Sequence, residues 1–313
     1  METKTLGLNG PTVTALGIGT WAWGDKFFWN YGQQFGAMEV EEAFNAAIQE
    51  GITFFDTAEV YGLGESETLI GKFIKKQGDR PVIDIATKYG AVPWRFNKEA
   101  VYEALNNSLQ RLQLSQVTLY QVHWPFTFLL SQETLLNALA DEVQRGRIRC
   151  IGVSNYSALQ MRQAHDILQS RGIPLAVNQV RYSLLDRSIE NQGILATARE
   201  LGITILAYSP LAQGLLTGKY TPNEPPDGAR RLDNRFSASG LQKIAPILDA
   251  LEQLSQTYQK SSAQIALNWL VAQEGVIPIP GAKNASQAHS NAGALGWRLK
   301  EEDWQLLEKI TRS

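Results

Sequence analysis

Cysteine and histidine are scarce in this sequence, and their scarcity excludes several classes of protein. The 313 residues contain one cysteine and three histidines. The single Cys150 excludes an internal disulfide and a cysteine-cluster metal site, and it is typical of a protein from the reducing cytoplasm. His165 and His289 have no partner at metal-ligand spacing. We therefore expect a cytoplasmic protein without a bound metal.

A charge surplus and long hydrophobic runs are also missing. Lys and Arg total 29 against 31 Asp and Glu, a net charge of −2, so nothing in the composition favours nucleic acid or an anionic membrane surface as a partner. No apolar run approaches the roughly 18 residues of a membrane span, and the opening METKTLGLNG lacks the apolar core of a signal peptide. The expected partner is a small neutral or phosphorylated molecule.

What the sequence does contain is a regular alternation of short apolar strands and amphipathic helices. From the second strand onward, the strand ends lie between 25 residues (Ser154 to Gln179) and 35 residues (Lys88 to His123) apart. The last interval, of 72 residues, is longer because it holds the polar segment GKYTPNEPPDGARRLDNRFSASG and two helical patterns. The eight predicted strand ends are Thr20, Asp56, Lys88, His123, Ser154, Gln179, Tyr208 and Pro280.

Eight strand–helix units of this size predict an α/β fold, the (β/α)8 TIM barrel, which typically needs about 250 residues. The remaining residues are assigned to an N-terminal hairpin in TKTLGLNGPTVTALG, a long loop insert after strand 7 and a C-terminal helix in EEDWQLLEKITRS. No shift in composition marks a second domain. We expect residues 1–313 to form a single barrel domain.

Ionisable side chains stand where three neighbouring strands of this barrel end. Asp56, Lys88 and His123 end the second, third and fourth strands, and Tyr61 follows in the next loop. Each alone has an ordinary structural interpretation, such as a helix cap, an ion pair or a core histidine. Active sites of such barrels lie at the carboxyl ends of the strands, so the four together favour a catalytic site.

The chemistry of such a set follows from its charges. Lys88 can lower the pKa of the Tyr61 phenol, while Asp56 keeps the lysine protonated and oriented. His123 can hydrogen-bond a carbonyl oxygen and stabilise the charge that develops on it. The site is therefore predicted to give a proton to a carbonyl oxygen while another group attacks the carbonyl carbon.

These residues lie in stretches that resemble the aldo-keto reductase superfamily. The stretches are FFDTAEVYGLGESE, IATKYG, LYQVHWP, IGVSNY, NQVRYSLL, AYSPLAQGLLTGKY and PIPGAKNASQAHSN, in family order over some 270 residues. The resemblance implies a catalytic tetrad of Asp56, Tyr61, Lys88 and His123, with Tyr61 as the general acid. It is closest to the branch with bacterial and plant reductases and the potassium-channel β subunits.

The loops after strands seven and eight are where barrels often bind phosphate. Gly281 there allows close backbone approach and Lys283 adds a cation, although a solvated lysine after a turn is the ordinary alternative. The resemblance implies NADPH as cofactor, with Lys283 at its 2′-phosphate. The implied cofactor-binding residues are Gly19, Thr20, Asp56, Ser154, Asn155, Gln179, Tyr208, Ser209, Leu211, Gly214, Leu215, Lys219, Pro280, Gly281, Lys283, Gln287 and Asn291.

Aromatic residues cluster after the early strands and predict the wall of a substrate pocket. We assign Trp21, Tyr61, Trp94, His123 and Trp124 to this wall. The expected activity is NADPH-dependent reduction of aldehydes, including reactive dicarbonyls such as methylglyoxal, with ketones as a further option. The expected oligomeric state is a monomer.

Three alternatives remain open. The branch resemblance allows a cofactor-binding regulatory subunit with slow turnover, and Lys88 allows a Schiff-base aldolase, although an ion pair with Asp56 argues against the latter. The insert, with Arg230, Arg231 and Arg235, fits either a belt over the pyrophosphate or a plain exposed loop.

Overall fold

A short antiparallel hairpin closes the bottom of the fold. The structure, a computed structural model, describes residues 1–78, 81–221, 223–226, 230 and 232–312. Strands β1 (Thr3–Thr5) and β2 (Thr12–Thr14) pair with Thr3 opposite Thr14. Leu6 and Val13 are buried against the floor of the sheet described next. The hairpin predicted from the sequence is confirmed.

Eight parallel strands follow, and each pairs with the next in chain order. The sheet closes on itself because Gly19 lies opposite Gly281 in a parallel bridge and Gly17 N donates to Pro278 O at 3.0 Å. This is the predicted (β/α)8 barrel. Its strands are β3 (Ile18–Gly19), β4 (Phe54–Asp56), β5 (Asp84–Tyr89), β6 (Val117–Val122), β7 (Ile148–Ser154), β8 (Leu175–Arg181), β9 (Thr204–Tyr208) and β10 (Val276–Pro278).

Helices surround the barrel and bury their apolar faces on it. Side-chain caps fix where several begin: Asn97 accepts from Ala100 N, and Ser131 accepts from Thr134 N. The C-terminal helix lies where the sequence predicts it. The α-helices are α1 (Ala37–Gln49), α2 (Glu65–Gln77), α3 (Lys98–Leu112), α4 (Gln132–Gln144), α5 (Ala158–Gln169), α6 (Ser188–Asn191), α7 (Ile194–Leu201), α8 (Ala238–Tyr258), α9 (Ser262–Val271), α10 (Ala285–Ala292) and α11 (Glu301–Thr311).

The two-residue period of the strands separates two cores and positions the site. Phe55 packs in the layer between strands and helices, whereas Phe54 points into the barrel. Ala86 and Leu119 belong to the same apolar interior layer. Two residues further along the same strands, the inward positions become polar: Asp56, Lys88 and Gln121. The barrel interior is thus apolar below and polar above.

The connection between β9 and α8 carries the insert that the sequence predicts. It contains 3-10 turns at Ala212–Thr217 and Asn234–Phe236, and α8 begins when Ser237 caps Gly240 N. Of the three insert arginines, Arg231 lies outside the described residues. Among the helices of the described ranges, none has the length and apolar character to cross a membrane.

Candidate active site

A buried ion pair lies at the centre of the polar layer. Lys88 Nζ is 2.6 Å from Asp56 Oδ2, and both side chains are inaccessible to solvent or nearly so. The ammonium also donates to Thr57 O at 2.7 Å and to the Tyr61 hydroxyl at 3.3 Å. Burial lowers the pKa of Lys88, but Asp56 and Tyr61 raise it, and the net direction is upward. A lysine held protonated is a poor Schiff-base nucleophile.

The Tyr61 hydroxyl reaches this pair from a 3-10 turn that covers Tyr61–Gly64. Burial raises the pKa of Tyr61, Lys88 opposes that effect, and the net direction is upward. The lowering effect that the sequence argument assigned to Lys88 is present, but burial outweighs it, and a sequence alone could not weigh desolvation against the single cation. Tyr61 therefore remains a protonated donor at neutral pH.

His123 completes the cluster as a neutral imidazole. Burial, with a smaller effect of Lys88, lowers its pKa to about 2. Its ring meets the Tyr61 ring edge-on at 5.7 Å and stacks on Trp124 at 4.1 Å with an interplanar angle of 1°. A neutral imidazole carries one N–H donor, so His123 can hydrogen-bond an oxygen without bringing a second positive charge.

The buried His123 makes the stability of the protein pH-dependent. Between its ordinary pKa of 6.5 and about 2, the unfolded chain binds a proton that the folded chain does not. The free energy of unfolding therefore falls as the pH falls below 6.5, by up to roughly 1.4 kcal/mol per pH unit from this group. Urea unfolding of the wild type and His123→Asn at about pH 7 and about pH 5 should give a smaller acid loss in the variant. Equal losses would contradict the assignment.

A cavity of about 750 Å³ opens above these residues. Asp56, Tyr61 and His123 form its floor, and Trp21 and Trp124 lie in its wall. Most residues predicted from the sequence line it: Gly19, Trp21, Asp56, Tyr61, His123, Trp124, Ser154, Asn155, Gln179, Tyr208, Ser209, Leu211, Gly214, Lys219, Pro280, Gly281, Lys283, Gln287 and Asn291.

Four predicted residues do not line the cavity. Lys88 lies beneath Asp56, and Leu215 is buried in the apolar core. Thr20 is also buried, and its hydroxyl bonds to Asp56 O at 3.0 Å and to Ser66 Oγ at 2.8 Å. Trp94 is 72% exposed on the loop after β5. The placement of Trp94 in the pocket wall is thus not supported by the geometry.

Amide and hydroxyl groups form one end of the cavity. Asn155 Nδ2 donates to Ser154 Oγ at 3.1 Å, and Tyr208 OH donates to Asn155 Oδ1 at 3.1 Å. Asn155 has a φ of 61° and Ser209 a φ of 50°, and such strained backbone is typical of ligand sites. This end carries fixed donors and acceptors beside an aromatic ring, as recognition of a planar amide-bearing ring requires.

Cations form the other end. Lys219, Arg230 and Lys283 line the cavity near the start of α10, where Asn284 caps Gln287 N. A Cβ on Gly281 would meet only Gly19 O, at 3.7 Å, so there is room for a group to lie against this backbone. Three cations, a helix start and open backbone fit the phosphates of a dinucleotide. The donor set at both ends therefore fits a nicotinamide dinucleotide.

Sequence reasoning missed part of this lining. Trp29 lies between two cations, with Lys283 Nζ 4.5 Å and the Arg230 guanidinium 5.0 Å from its ring. Arg230 also donates to Tyr220 OH at 2.8 Å, which anchors the insert at the cavity, whereas Arg235 pairs with Asp233 at 2.6 Å. The dense aromatic run around Trp29 was the available signal, but a sequence does not give loop direction.

Comparisons with known proteins agree with this geometry. The model of the Aldo/keto reductase family matches residues 15–312, and the chain belongs to that family of NAD(P)H-using oxidoreductases. The chain is 39% identical over 310 residues to a chloroplastic pyridoxal reductase of Arabidopsis thaliana, covering 96% of this chain and 84% of the relative. It is 32% identical to the NADH-specific methylglyoxal reductase of Escherichia coli, covering 100% and 99% of the two chains.

Solved structures give the same family and fold. A thermostable aldo-keto reductase in complex with the inhibitor epalrestat superposes with a TM-score of 0.80 at 32% identity, covering 99% of this chain and 100% of that one. A glycerol dehydrogenase from Gluconobacter oxydans superposes with a TM-score of 0.85 at 29% identity, covering 98% and 94%. The resemblance inferred from the sequence motifs is confirmed at the level of family and fold.

Proposed function

We propose that the protein is an NADPH-dependent reductase that converts aldehydes, reactive dicarbonyls such as methylglyoxal included, and some ketones to alcohols. The observation that carries the proposal is the Tyr61 hydroxyl, which lies 3.3 Å from the Lys88 ammonium at the floor of the cavity. A protonated phenol beside a buried cation is a proton donor whose conjugate base is stabilised in place.

The proposed mechanism assigns one task to each residue of the tetrad. The nicotinamide cofactor, when bound, supplies the hydride. Tyr61 and His123 hydrogen-bond the substrate carbonyl oxygen, and Tyr61 gives it a proton as negative charge develops there. Lys88 stabilises the phenolate that remains, and Asp56 keeps Lys88 charged and oriented through its 2.6 Å contact. The walls around this floor exclude water from the reacting atoms.

The same cavity suggests how the cofactor is held. We assign the nicotinamide amide to Ser154, Asn155 and Gln179, with Tyr208 against the ring. We assign the pyrophosphate to the backbone and side chains around Ser209, Leu211, Gly214 and Lys219. We assign the adenosine end to Pro280, Gly281, Lys283, Gln287 and Asn291. The cations Lys283 and Arg230 support a 2′-phosphate and thus NADPH, although one relative is named as NADH-specific.

Aromatic rings support carbonyl substrates of low polarity. Trp21 and Trp124 form the wall above His123, and Trp21 lies 6.4 Å from the Tyr61 ring. Relatives named pyridoxal reductase and methylglyoxal reductase suggest both a ring aldehyde and a small dicarbonyl for the first panel. We further propose a single-domain cytoplasmic monomer, in line with the lone cysteine and near-neutral charge.

Steady-state kinetics of the purified protein test this proposal. NADPH and NADH are each mixed with pyridoxal, methylglyoxal, an aromatic aldehyde and a ketone, and consumption of reduced cofactor is followed by absorbance. Faster turnover of aldehydes with NADPH supports the proposal. Tight binding of NADPH without turnover across the panel would overturn it in favour of the regulatory-subunit alternative.

Replacing Lys283 by methionine tests the cofactor assignment separately. The change removes a charge at the adenosine end while keeping most of the aliphatic side chain. A charge-assisted hydrogen bond is worth about 1.5–3 kcal/mol, so the preference for NADPH over NADH, as a ratio of kcat/KM, should fall about 10- to 100-fold. Lys243→Met, on an exposed face of α8, is the control. An unchanged ratio would refute the role of Lys283.

A further inference from the structure

Gln121 occupies a position in the site that the proposed mechanism leaves without a task. It lies on β6, two residues before His123, and is fully buried. Its Nε2 donates to Asp56 Oδ1 at 3.1 Å, and its Oε1 accepts from Gln179 Nε2 at 3.2 Å. Gln121 therefore connects the carboxylate of the tetrad to a residue of the nicotinamide end.

The orientation of both amides in this network is fixed by chemistry. Gln179 Nε2 also donates to Asp56 Oδ1, at 2.7 Å. A carboxylate that pairs with a lysine can only accept hydrogen bonds, so both glutamines must turn their nitrogens toward Asp56. The oxygen of Gln121 then faces the nitrogen of Gln179. The contacts among Asp56, Gln121 and Gln179 therefore determine which end of each amide is nitrogen and which is oxygen.

One consequence concerns the free end of Gln179. Its nitrogen is committed inside the barrel, while Gln179 itself lines the cavity. Among the described residues, no hydrogen bond to its Oε1 is found. The amide group that Gln179 offers to a ligand is thus an acceptor, which suits a ligand that brings an N–H.

We propose that Gln121 is a positioning residue that holds the Gln179 carbonyl oxygen toward the nicotinamide amide and couples cofactor binding to the orientation of Asp56. This inference rests on the proposed function for the identity of the ligand. It adds a residue that does not touch substrate or cofactor itself. Without Gln121, Gln179 keeps one partner instead of two, and Asp56 Oδ1 loses one of its two amide donors.

A pair of dinucleotides that differ at the amide provides the test. NADP⁺ carries the amide N–H groups, and its 3-acetylpyridine analogue lacks them. Dissociation constants for both are measured by quenching of tryptophan fluorescence, which needs no turnover. The wild type should favour NADP⁺, and in Gln121→Met this preference should shrink about fivefold, the size of one ordinary hydrogen bond. If Gln121→Met weakened the binding of both dinucleotides equally, the role of Gln121 would be merely structural and the proposal would be overturned.

A second variant gives the test a pH signature. In Gln121→Glu the introduced carboxyl can donate to Asp56 while protonated, but repels it once ionised. The titratable groups near this position include Asp56, which bonds the amide, and Lys88, which lies opposite Gln121 in the strand register and bonds Tyr61. NADP⁺ affinity of this variant should therefore fall as the pH rises, whereas that of Gln121→Met should follow the wild type. A flat profile for Gln121→Glu would also overturn the proposal.

Controls separate this inference from general damage and from failure of the proposed function. Asn268→Leu removes another fully buried amide, which bonds Ala294 O at 2.9 Å on the outer layer, and it should not change the preference between the two dinucleotides. A wild type that favours NADP⁺ over the analogue but reduces no aldehyde would overturn the proposed function. The comparison of the two dissociation constants in Gln121→Met would still decide the role of Gln121.

Discussion

Tyr61→Phe is expected to lower kcat for aldehyde reduction by about 10²- to 10⁴-fold, the usual contribution of a positioned general acid. The change removes one hydroxyl and leaves the aromatic ring against Trp21 and His123. His123 is not expected to replace it, because its pKa of about 2 keeps it from carrying an extra proton at neutral pH.

The measurement separates proton transfer from binding. NADPH affinity, followed by tryptophan fluorescence, should stay within about twofold of the wild type because the lost hydroxyl points to Lys88 and not to the cation end of the cavity. Tyr102→Phe is the matched control, since its hydroxyl bonds Asp141 at 2.8 Å on the outer helices. A Tyr61→Phe enzyme with nearly full kcat would refute Tyr61 as the acid.

The positions of Asp56 and Lys88 could be predicted from the sequence because they depend on the backbone periodicity of strands. Strand side chains alternate, so a polar residue two positions beyond an inward apolar one must lie at the top of the barrel interior. Phe54 and Asp56 form such a pair on β4, and Ala86 and Lys88 form another on β5. The fold itself could be predicted from the regular spacing of the eight strand ends.

Loop side chains could not be predicted in the same way. Trp124 follows His123 directly and is held by stacking on it, so its place in the wall is determined by the strand. Trp94 lies five residues beyond β5, and its neighbour Arg95 is drawn to Glu59 at 2.8 Å and over the Tyr89 ring. Trp94 itself is exposed to solvent, and a sequence does not contain the tertiary contacts that decide the direction of such a loop.

The direction of the Tyr61 pKa and the importance of Gln121 were missed for a different reason. Both depend on the degree of burial, because burial determines the desolvation of a charged group and the strength of a hydrogen bond to an amide. The sequence places Gln121 inward by the same alternation that places His123. A neutral amide in a sequence does not by itself indicate a functional role, however. The role of Gln121 becomes visible only in the structure, where its side chain bonds both Asp56 and Gln179.

Lys88→Met is expected to have the largest effect on stability. It leaves Asp56 buried with amide donors but without a cation, and breaking a buried pair in this way typically lowers the free energy of unfolding by about 3–5 kcal/mol. Activity should be lost as well, because the phenolate of Tyr61 would form without a neighbouring charge. Urea unfolding of the wild type and the variant at about pH 7 measures the loss, and a variant as stable as the wild type would contradict it.

A double variant separates the two consequences. Asp56→Asn combined with Lys88→Met removes both charges, so most of the lost stability should return, as replacement of buried ion pairs by neutral groups is often nearly neutral. Activity should not return, because the cation beside Tyr61 is still missing. If stability and activity recovered together, the pair would act only as a structural support; recovery of stability alone means that the buried charge is retained for proton transfer.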